Sequence, residues 1–228
     1  MSGRPRNETI RPVNKPSPGT KPRSSAAPAG FRYLPGYLSA AEQQSLLEDL
    51  RRVVRAAPLY QPRMPRSGQP MSVRMTNAGS HGWYSDKQGG YRYLGEHPVS
   101  GQPWPAIPAA LMAAWDDLAG YPDPPQCCLI NFYQGPKVRM GLHRDEDEET
   151  FEAPVVSLSL GDSAVFRLGG LSRRGPTTSF KLHSGDAMIL AGEARLAYHG
   201  VDRILGGSSR LLSEGGRINV TLRRVTVA

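Results

Sequence analysis

The stretch VVSLSLGDSAVFRLGG, residues 155–170, consists of two short apolar runs separated by a Gly-Asp-Ser turn signal. The same texture continues on both sides of it, from residue 126 to the C-terminus. The other runs are CCLINFY, TTSFKLHSG, DAMILAG, RLAYHGV and RINVTLRRVTV. Short strands at regular spacing, bounded by Gly, Pro, Asp and Ser, are typical of antiparallel sandwiches and barrels. This half of the chain therefore predicts a β-sandwich.

Two helices and one short strand are predicted before this β-rich half. Ser39 and Glu42 form a capping-box pattern that marks the start of the first helix. The apolar residues that follow at helical spacing are Leu46, Leu47, Leu50, Val53 and Val54. A second core-facing stripe contains Leu111, Met112, Trp115 and Leu118. With a strand at 31–33, the prediction is an α+β, mainly β fold in which two helices feed a C-terminal sandwich.

The polar segments of the chain suggest a tail and a lid. Residues 1–29 are rich in Pro, Ser, Arg and Lys, which predicts a disordered basic tail. That tail is either a weak electrostatic tether to nucleic acid or an inert leader. Residues 58–101 are polar, aromatic and Gly-rich, and they are too many for a simple connection. We expect a substrate lid at about 60–100, within a single domain of residues 30–228.

Composition limits the class of partner and the compartment. The chain has 228 residues and a formal net charge of +8, which favours an anionic partner such as nucleic acid. Its two cysteines, Cys127 and Cys128, open an apolar run and are expected to be buried free thiols of a reducing cytoplasm. No run of 18 apolar residues and no secretory segment is visible, so no membrane partner is expected.

A candidate metal site lies in LINFYQGPKVRMGLHRDEDEET, residues 129–150. Residues two apart on a strand point to the same side, so His143 and Asp145 can both reach one ion. His199, in RLAYHGV, is the candidate for the third ligand. Two histidines and one carboxylate form the facial triad of non-haem Fe(II) oxygenases. A histidine two residues from an acid is common by chance, so a solvated acidic loop is the alternative.

The run RINVTLRR, residues 217–224, provides an independent indication. Its alternate residues Arg217, Asn219, Thr221 and Arg223 share one face of a strand, and apolar residues occupy the other face. Two inward arginines on a core strand are costly unless each meets an anion. A dicarboxylate held at both ends would satisfy both guanidinium groups. The alternative is an edge strand with a basic face in solvent.

These motifs together resemble one family. LINFY, HRD, RLAYHG and RINVTLR occur in order, with His199 56 residues after His143, and MSVRMTNAGSHGW and PWPAIP precede them. In this the chain is similar to the Fe(II)- and 2-oxoglutarate-dependent nucleic-acid demethylases of the AlkB type. The resemblance is close over roughly 65–228 and loose over 31–64. It implies a double-stranded β-helix (jelly-roll) core with N-terminal helices and a nucleotide-recognition lid.

The resemblance also implies roles for residues around the iron. His143, Asp145 and His199 match the family's iron ligands. Arg217 matches the arginine that pairs with the distal carboxylate of 2-oxoglutarate, and Arg223 matches the one near the carboxylate at the metal end. The polar co-substrate contacts are matched by Asn131, Tyr133 and Asn219. The implied cofactor is Fe(2+), with 2-oxoglutarate and O2 as co-substrates.

Further matches concern the nucleic-acid substrate. The family's lid residues correspond to Met75, Trp83 and Tyr91, with Trp83 expected to stack on the flipped base. Asp147 and Glu148 match acids at the base pocket. Arg173 matches a residue near the substrate, although a solvated loop arginine is its alternative.

The activity that the resemblance implies is direct reversal of N-alkyl damage. The substrates would be 1-methyladenine and 3-methylcytosine in single- or double-stranded DNA, with RNA as an alternative. The products would be formaldehyde, succinate and CO2, and the protein would act as a cytoplasmic monomer. Methylation makes these bases cationic, so nearby carboxylates would favour them over neutral bases. Two other hypotheses remain: a related oxygenase of proteins or small molecules, and a non-catalytic nucleic-acid binder.

Overall fold

The computed structural model describes residues 27–135 and 137–227, and within these the chain forms two antiparallel sheets, a hairpin and two α-helices. The larger sheet contains β1 (Phe31–Leu34), β2 (Arg74–Gly79), β5 (Cys127–Tyr133), β7 (Val155–Gly161), β10 (Ala187–Leu190) and β12 (Arg217–Arg223). The smaller sheet contains β6 (Met140–His143), β8 (Ser163–Leu168), β9 (Thr178–Leu182) and β11 (His199–Leu205). The hairpin consists of β3 (Gly82–Asp86) and β4 (Gly90–Leu94), and the helices are α1 (Ala40–Ala56) and α2 (Ala109–Leu118).

The strand order gives β12 a central position. In the larger sheet the order is β1-β10-β7-β12-β5-β2, and in the smaller sheet it is β6-β11-β8-β9. Ile218, Val220 and Leu222 of β12 belong to the core that the two helices cover. The alternate residues of β12 therefore face the other way, towards the smaller sheet. This arrangement is the predicted mainly β jelly roll, and it places the polar face of β12 inside the sandwich.

The segment 58–101 contains strands that its sequence pattern did not predict. It contains β2, β3 and β4, and β2 forms one edge of the larger sheet. The sequence RMTNAG hides this strand because two of its buried side chains are polar. The Thr76 hydroxyl donates to the Ala57 carbonyl at 2.7 Å, and the Asn77 amide donates to the Tyr60 hydroxyl at 2.9 Å. These bonds remove the cost of burial, so apolar alternation is not needed.

The run RLAYHGV is a second correction, because it is not one strand. A short 3-10 helix spans Gly192–Leu196, and β11 begins only at His199. Of the predicted tail, residues 1–26 lie outside the described residues. Ala29 is described, and its carbonyl accepts a hydrogen bond from the amide of Ala194 at 2.9 Å.

Helix α1 begins where the capping box predicts. The Glu42 amide donates to the Ser39 hydroxyl at 3.3 Å, and the Ser39 amide donates to the Glu42 carboxylate at 2.7 Å. Four of the five predicted apolar residues are buried against the larger sheet, and Val54 is half-buried. The described helices lack the length and apolar character that crossing a bilayer requires.

Loss of this cap gives a first testable prediction. Ser39→Ala is expected to lower the free energy of unfolding by about 1 kcal/mol, because it removes an acceptor for an otherwise unpaired amide at the helix start. Ser45→Ala is the matched control, since Ser45 is exposed in the middle of α1 and its loss should change stability by no more than about 0.5 kcal/mol. Urea denaturation compares the two variants. Equal unfolding midpoints would contradict the capping role.

The two cysteines are free and fully buried on β5, as predicted. Burial raises the pKa of the Cys127 thiol to about 12 and places that of Cys128 well above its ordinary value. Both side chains are therefore neutral core residues.

Candidate active site

Two histidines lie opposite each other on neighbouring strands of the smaller sheet. His143 ends β6 and His199 begins β11, and the antiparallel register places them opposite each other with ring centroids 4.5 Å apart. Gly200 permits this close approach, because a Cβ there would lie 2.7 Å from the Met140 carbonyl oxygen and 2.8 Å from that of Gly141. A side chain at position 200 would push the strands, and hence the two imidazoles, apart.

Asp145 completes the group, although not by the route expected from strand alternation. Since β6 ends at His143, Asp145 lies in the following loop, and that loop turns its buried carboxylate back to the imidazoles. Its oxygens lie 3.7 Å from Nε2 of His143 and 4.0 Å from Nε2 of His199. The three side chains can place one ligand atom each around a single ion.

The hydrogen bonds of the imidazoles leave the correct nitrogens free. Nδ1 of His143 lies 2.9 Å from the Gly141 carbonyl, and Nδ1 of His199 lies 2.9 Å from the Ala197 carbonyl. A carbonyl only accepts, so each Nδ1 carries a proton and Nε2 is the nitrogen left to bind an ion. Burial lowers the pKa of His199 to about 4, which keeps that ring neutral near pH 7. Two imidazoles that present Nε2, together with a carboxylate, are the donor set of a facial Fe(II) site.

Arg223 holds the carboxylate of this triad. Its Nη2 and Nε lie 2.8 Å and 3.2 Å from the same oxygen of Asp145. Burial alone would raise the pKa of Asp145, but Arg223 and the two histidines lower it below its ordinary value. Asp145 is therefore ionised and fixed in orientation before any ion binds.

A second buried ion-pair network supports the loop that carries Asp145. Arg195, which is 1% exposed, donates to the Asp145 and Ala153 carbonyls at 2.7 and 3.0 Å and to the Glu148 carboxylate at 3.0 Å. The Tyr93 hydroxyl donates to the other oxygen of Glu148 at 2.5 Å. Sequence reasoning missed Arg195 and Tyr93. The one available signal was an arginine inside the otherwise apolar run ARLAY.

The polar face of β12 brings a second group of candidate site residues together between the sheets. β12 lies between β7 and β5, so the alternative of an exposed edge strand is wrong. Arg217 lies opposite Tyr133, and Asn219 lies opposite Asn131. These four side chains therefore share the face that looks towards the smaller sheet. Tyr133 is 2% exposed, and burial raises the pKa of its hydroxyl to about 12.

Arg217 is a buried cation whose described neighbours supply only neutral acceptors. It is 0% exposed, and it donates to the Ser159 hydroxyl at 2.7 Å and to the Asp162 carbonyl at 3.4 Å. Within the described residues its Nε has no partner, and neither has Oδ1 of Asn131. Burial lowers the pKa of Arg217 to about 10. A buried guanidinium with a free N–H fits an incoming carboxylate, such as one end of 2-oxoglutarate.

The β3–β4 hairpin stands beside the triad, in the segment expected to be a lid. Trp83 donates from its indole N–H to the Asp147 carboxylate at 2.8 Å. The Trp83 and Tyr91 rings stack with centroids 5.6 Å apart and planes 26° apart, and Tyr91 is 47% exposed. Partial burial raises the pKa of Asp147, and the nearby Glu148 adds to that rise. An aromatic surface and a carboxylate thus lie together near the metal ligands.

Of the other three residues expected to contact the substrate, two are buried and one lies in an exposed turn. Met75 is 1% exposed and packs in the core between the sheets, so it offers no surface to a base. Glu148 is 7% exposed, and its two oxygens are occupied by Tyr93, Arg195 and Arg223. Arg173 is exposed in the turn after β8, where its charge reaches Tyr91 and opposes the rise in pKa that burial causes there.

Comparison with known proteins agrees with this geometry. The sequence matches the 2OG-Fe(II) oxygenase superfamily over residues 30–223. It is 51% identical over 199 residues to an alpha-ketoglutarate-dependent dioxygenase AlkB homolog of Caulobacter vibrioides, covering 87% of this chain and 89% of that protein. It is 41% identical over 190 residues to the alpha-ketoglutarate-dependent dioxygenase AlkB of Escherichia coli, covering 82% and 85%.

A solved structure, that of OsALKBH1, superposes with a TM-score of 0.69 at 28% identity, over 86% of this chain and 98% of that one. Fe(II), 2-oxoglutarate and O2 are the cofactor and co-substrates of this superfamily, and the group of His143, Asp145 and His199 can hold one metal ion. The chain therefore belongs to the 2OG-Fe(II) oxygenase superfamily and, within it, to the AlkB-type 2-oxoglutarate-dependent dioxygenases.

Proposed function

We propose that this dioxygenase repairs DNA by removing N-methyl groups from 1-methyladenine and 3-methylcytosine, with RNA as the alternative substrate. The products are the restored base, formaldehyde, succinate and CO2. The observation that carries the proposal is the hydrogen bond from Trp83 to Asp147, which holds an aromatic ring and a carboxylate beside the triad. The names of the Caulobacter and Escherichia coli relatives support the same activity.

The triad would hold the iron, and the polar face of β12 would hold 2-oxoglutarate. His143 and His199 would bind the ion through Nε2, and Asp145 through the carboxylate that Arg223 orients. Arg217 and Tyr133 would bind the far carboxylate of 2-oxoglutarate, and Asn131 and Asn219, which are closer to Arg223 along the strands, would lie nearer the metal. When bound, iron, 2-oxoglutarate and O2 supply the oxidising power that hydroxylates the methyl carbon.

The protein's own contribution to that step is orientation and exclusion of water. Asp145, His199 and Arg217 are buried, which limits access of solvent from their side of the site. The His143 side chain is 39% exposed and lies at the open side. Hydroxylation of the N-methyl group leaves a hydroxymethyl on the ring nitrogen. Breaking its C–N bond releases formaldehyde, and the proton of the hydroxyl passes to solvent as the base becomes neutral.

Recognition of the damaged base rests on stacking and on charge. A base must leave the duplex to reach the triad, which costs a few kcal/mol. Stacking on Trp83 and Tyr91 offsets part of that cost, at about 1–3 kcal/mol per aromatic contact. The Asp147 carboxylate favours a cationic, methylated ring over a neutral one. Arg173, near Tyr91, is suited to a backbone phosphate.

We infer the remaining organisation from sequence and charge. Residues 30–228 form one catalytic domain that acts as a cytoplasmic monomer, with the substrate lid at about 60–100. The net charge of +8 attracts the phosphate backbone. Residues 1–29 serve as a weak basic tether to the nucleic acid.

One assay tests the proposed function. The enzyme is mixed anaerobically with Fe(II), 2-oxoglutarate, ascorbate and a 3-methylcytosine oligonucleotide, and air is then admitted. Formaldehyde and succinate are expected in equal amounts, with conversion to cytosine, and an unmethylated oligonucleotide serves as the control. Succinate without base repair would indicate an oxygenase of proteins or small molecules. Binding without either product would indicate a non-catalytic binder.

Trp83 gives a prediction specific to the substrate. Trp83→Ala is expected to weaken binding of the 3-methylcytosine oligonucleotide by about 5- to 150-fold, the equivalent of about 1–3 kcal/mol of stacking. Trp83→Phe should lose less, because it keeps a stacking ring and loses only the bond to Asp147. Fluorescence anisotropy measures both affinities under anaerobic conditions. An alanine variant that binds as tightly as the wild type would remove Trp83 from the base site.

A further inference from the structure

The acidic loop, residues 144–149, joins the metal triad to the hairpin. Three of its carboxylates connect the triad and the hairpin. Asp145 belongs to the triad, Asp147 accepts from Trp83, and Glu148 accepts from Tyr93. Trp83 and Tyr93 are directly opposite each other in the β3–β4 register, so they lie side by side on one face of the hairpin. The hairpin is therefore tied to the loop at two adjacent points.

A continuous chain of polar contacts leads from the Tyr93 hydroxyl to the Asp145 carboxylate. The Tyr93 hydroxyl is 2.5 Å from Oε1 of Glu148, and Nε of Arg223 is 3.5 Å from that same oxygen. Arg223 also binds the Asp145 carboxylate at 2.8 Å. Arg195 closes the network, since it binds Glu148 by one nitrogen and the Asp145 carbonyl by another.

Burial makes this network stiff. The side chains of Glu148 and Arg195 are 1% and 2% exposed, and those of Arg223 and Asp145 are each 7% exposed. Charge-assisted hydrogen bonds in such surroundings are stronger than in water, and a displaced partner leaves a buried charge unpaired. Movement of Asp145 therefore has to be accommodated by Arg223, Glu148 and Tyr93 in turn.

Resting on the proposed function, we propose that Tyr93 is a positioning residue that couples base binding at the hairpin to ion binding at Asp145. An ion that fixes Asp145 also fixes the network behind it, and so fixes the hairpin that receives the base. By thermodynamic linkage a bound base then tightens ion binding by the same factor. The hydroxyl of Tyr93 carries this coupling, whereas its ring only fills space.

The test uses binding, with Mn(II) in place of Fe(II) so that no turnover occurs. The affinity for a 3-methylcytosine oligonucleotide is measured with and without Mn(II), at one fixed concentration of 2-oxoglutarate that is kept in every measurement. In the wild type Mn(II) should tighten binding by about fivefold or more, the lower end of usual coupling. Tyr93→Phe should reduce that factor to less than about twofold, with Mn(II) affinity in the absence of oligonucleotide retained. Its melting temperature should fall, because buried Glu148 loses one hydrogen bond, so all binding is measured well below that temperature.

Tyr84→Phe is the matched control, because Tyr84 is on the opposite face of the same hairpin and its ring packs against Tyr60 and Arg92. It should keep the wild-type factor. The reciprocal measurement, Mn(II) affinity with and without oligonucleotide, must give the same ratio. A factor unchanged in Tyr93→Phe, or a wild type that binds the oligonucleotide with no coupling, overturns the inference. Failure of the wild type to bind methylated DNA would instead count against the proposed function.

Discussion

His143→Ala is expected to abolish formation of both formaldehyde and succinate. The imidazole supplies one of three ligand atoms, and its free Nε2 faces the Asp145 carboxylate at 3.7 Å. Loss of a partner that only supports a ligand costs a metal site about 10–100-fold, so loss of the ligand itself should exceed about 100-fold. Initial rates of both products at saturating Fe(II) measure the effect.

The control for this variant is His183→Ala. His183 is exposed, and its ring contacts the Ser163 hydroxyl at 3.1 Å, on a part of the fold away from the triad. We expect it to retain wild-type rates. Turnover retained by His143→Ala would remove His143 from the metal site and with it the facial triad.

Arg217→Met is expected to raise the concentration of 2-oxoglutarate needed for half-maximal rate by tens- to several-thousand-fold. Removing one member of a buried, hydrogen-bonded charge pair costs about 2–5 kcal/mol of binding energy. The rate at saturating 2-oxoglutarate should fall much less, because the triad is left intact. Methionine retains the apolar stem, so the core stays filled.

Thermal unfolding provides a second readout for Arg217 that does not depend on turnover. A ligand at 100 times its dissociation constant stabilises the folded state by about 2.7 kcal/mol, so 2-oxoglutarate with Mn(II) should raise the wild-type melting temperature. The same concentrations should barely shift that of Arg217→Met. Arg224→Met is the control, since among the described residues Arg224 donates to the Thr226 and Pro124 carbonyls and to no group of the candidate site. An Arg217 variant stabilised as strongly as the wild type would contradict the proposed contact.

Much of the fold could be predicted because it depends on local patterns. Alternation along β12 correctly separates a helix-facing apolar side from a polar side, and the capping box correctly starts α1. Strand β2 could not be found in this way. Its buried Thr76 and Asn77 depend on hydrogen bonds to residues 57 and 60, which only the folded chain brings near.

In the candidate site, too, the residues set by local motifs could be predicted and those set by long-range contacts could not. His143, Asp145 and His199 could be proposed from spacing and from family motifs, and the structure brings them together. Arg195 and Tyr93 could not, because their shared partner Glu148 is 47 residues from one and 55 from the other. Nor does spacing reveal that Met75 faces the core, because both faces of β2 carry buried residues.

The buried cysteines of β5 have a consequence for the enzyme's durability. Cys127 lies opposite Arg223, the residue that holds the Asp145 carboxylate, and so close to the site that would bind iron and O2. The thiolate is the form of cysteine that oxidants attack most readily, and burial raises the pKa of both thiols. Since these are the only cysteines in the sequence and both are buried, the protein presents no exposed thiol to an oxidant that leaves the site.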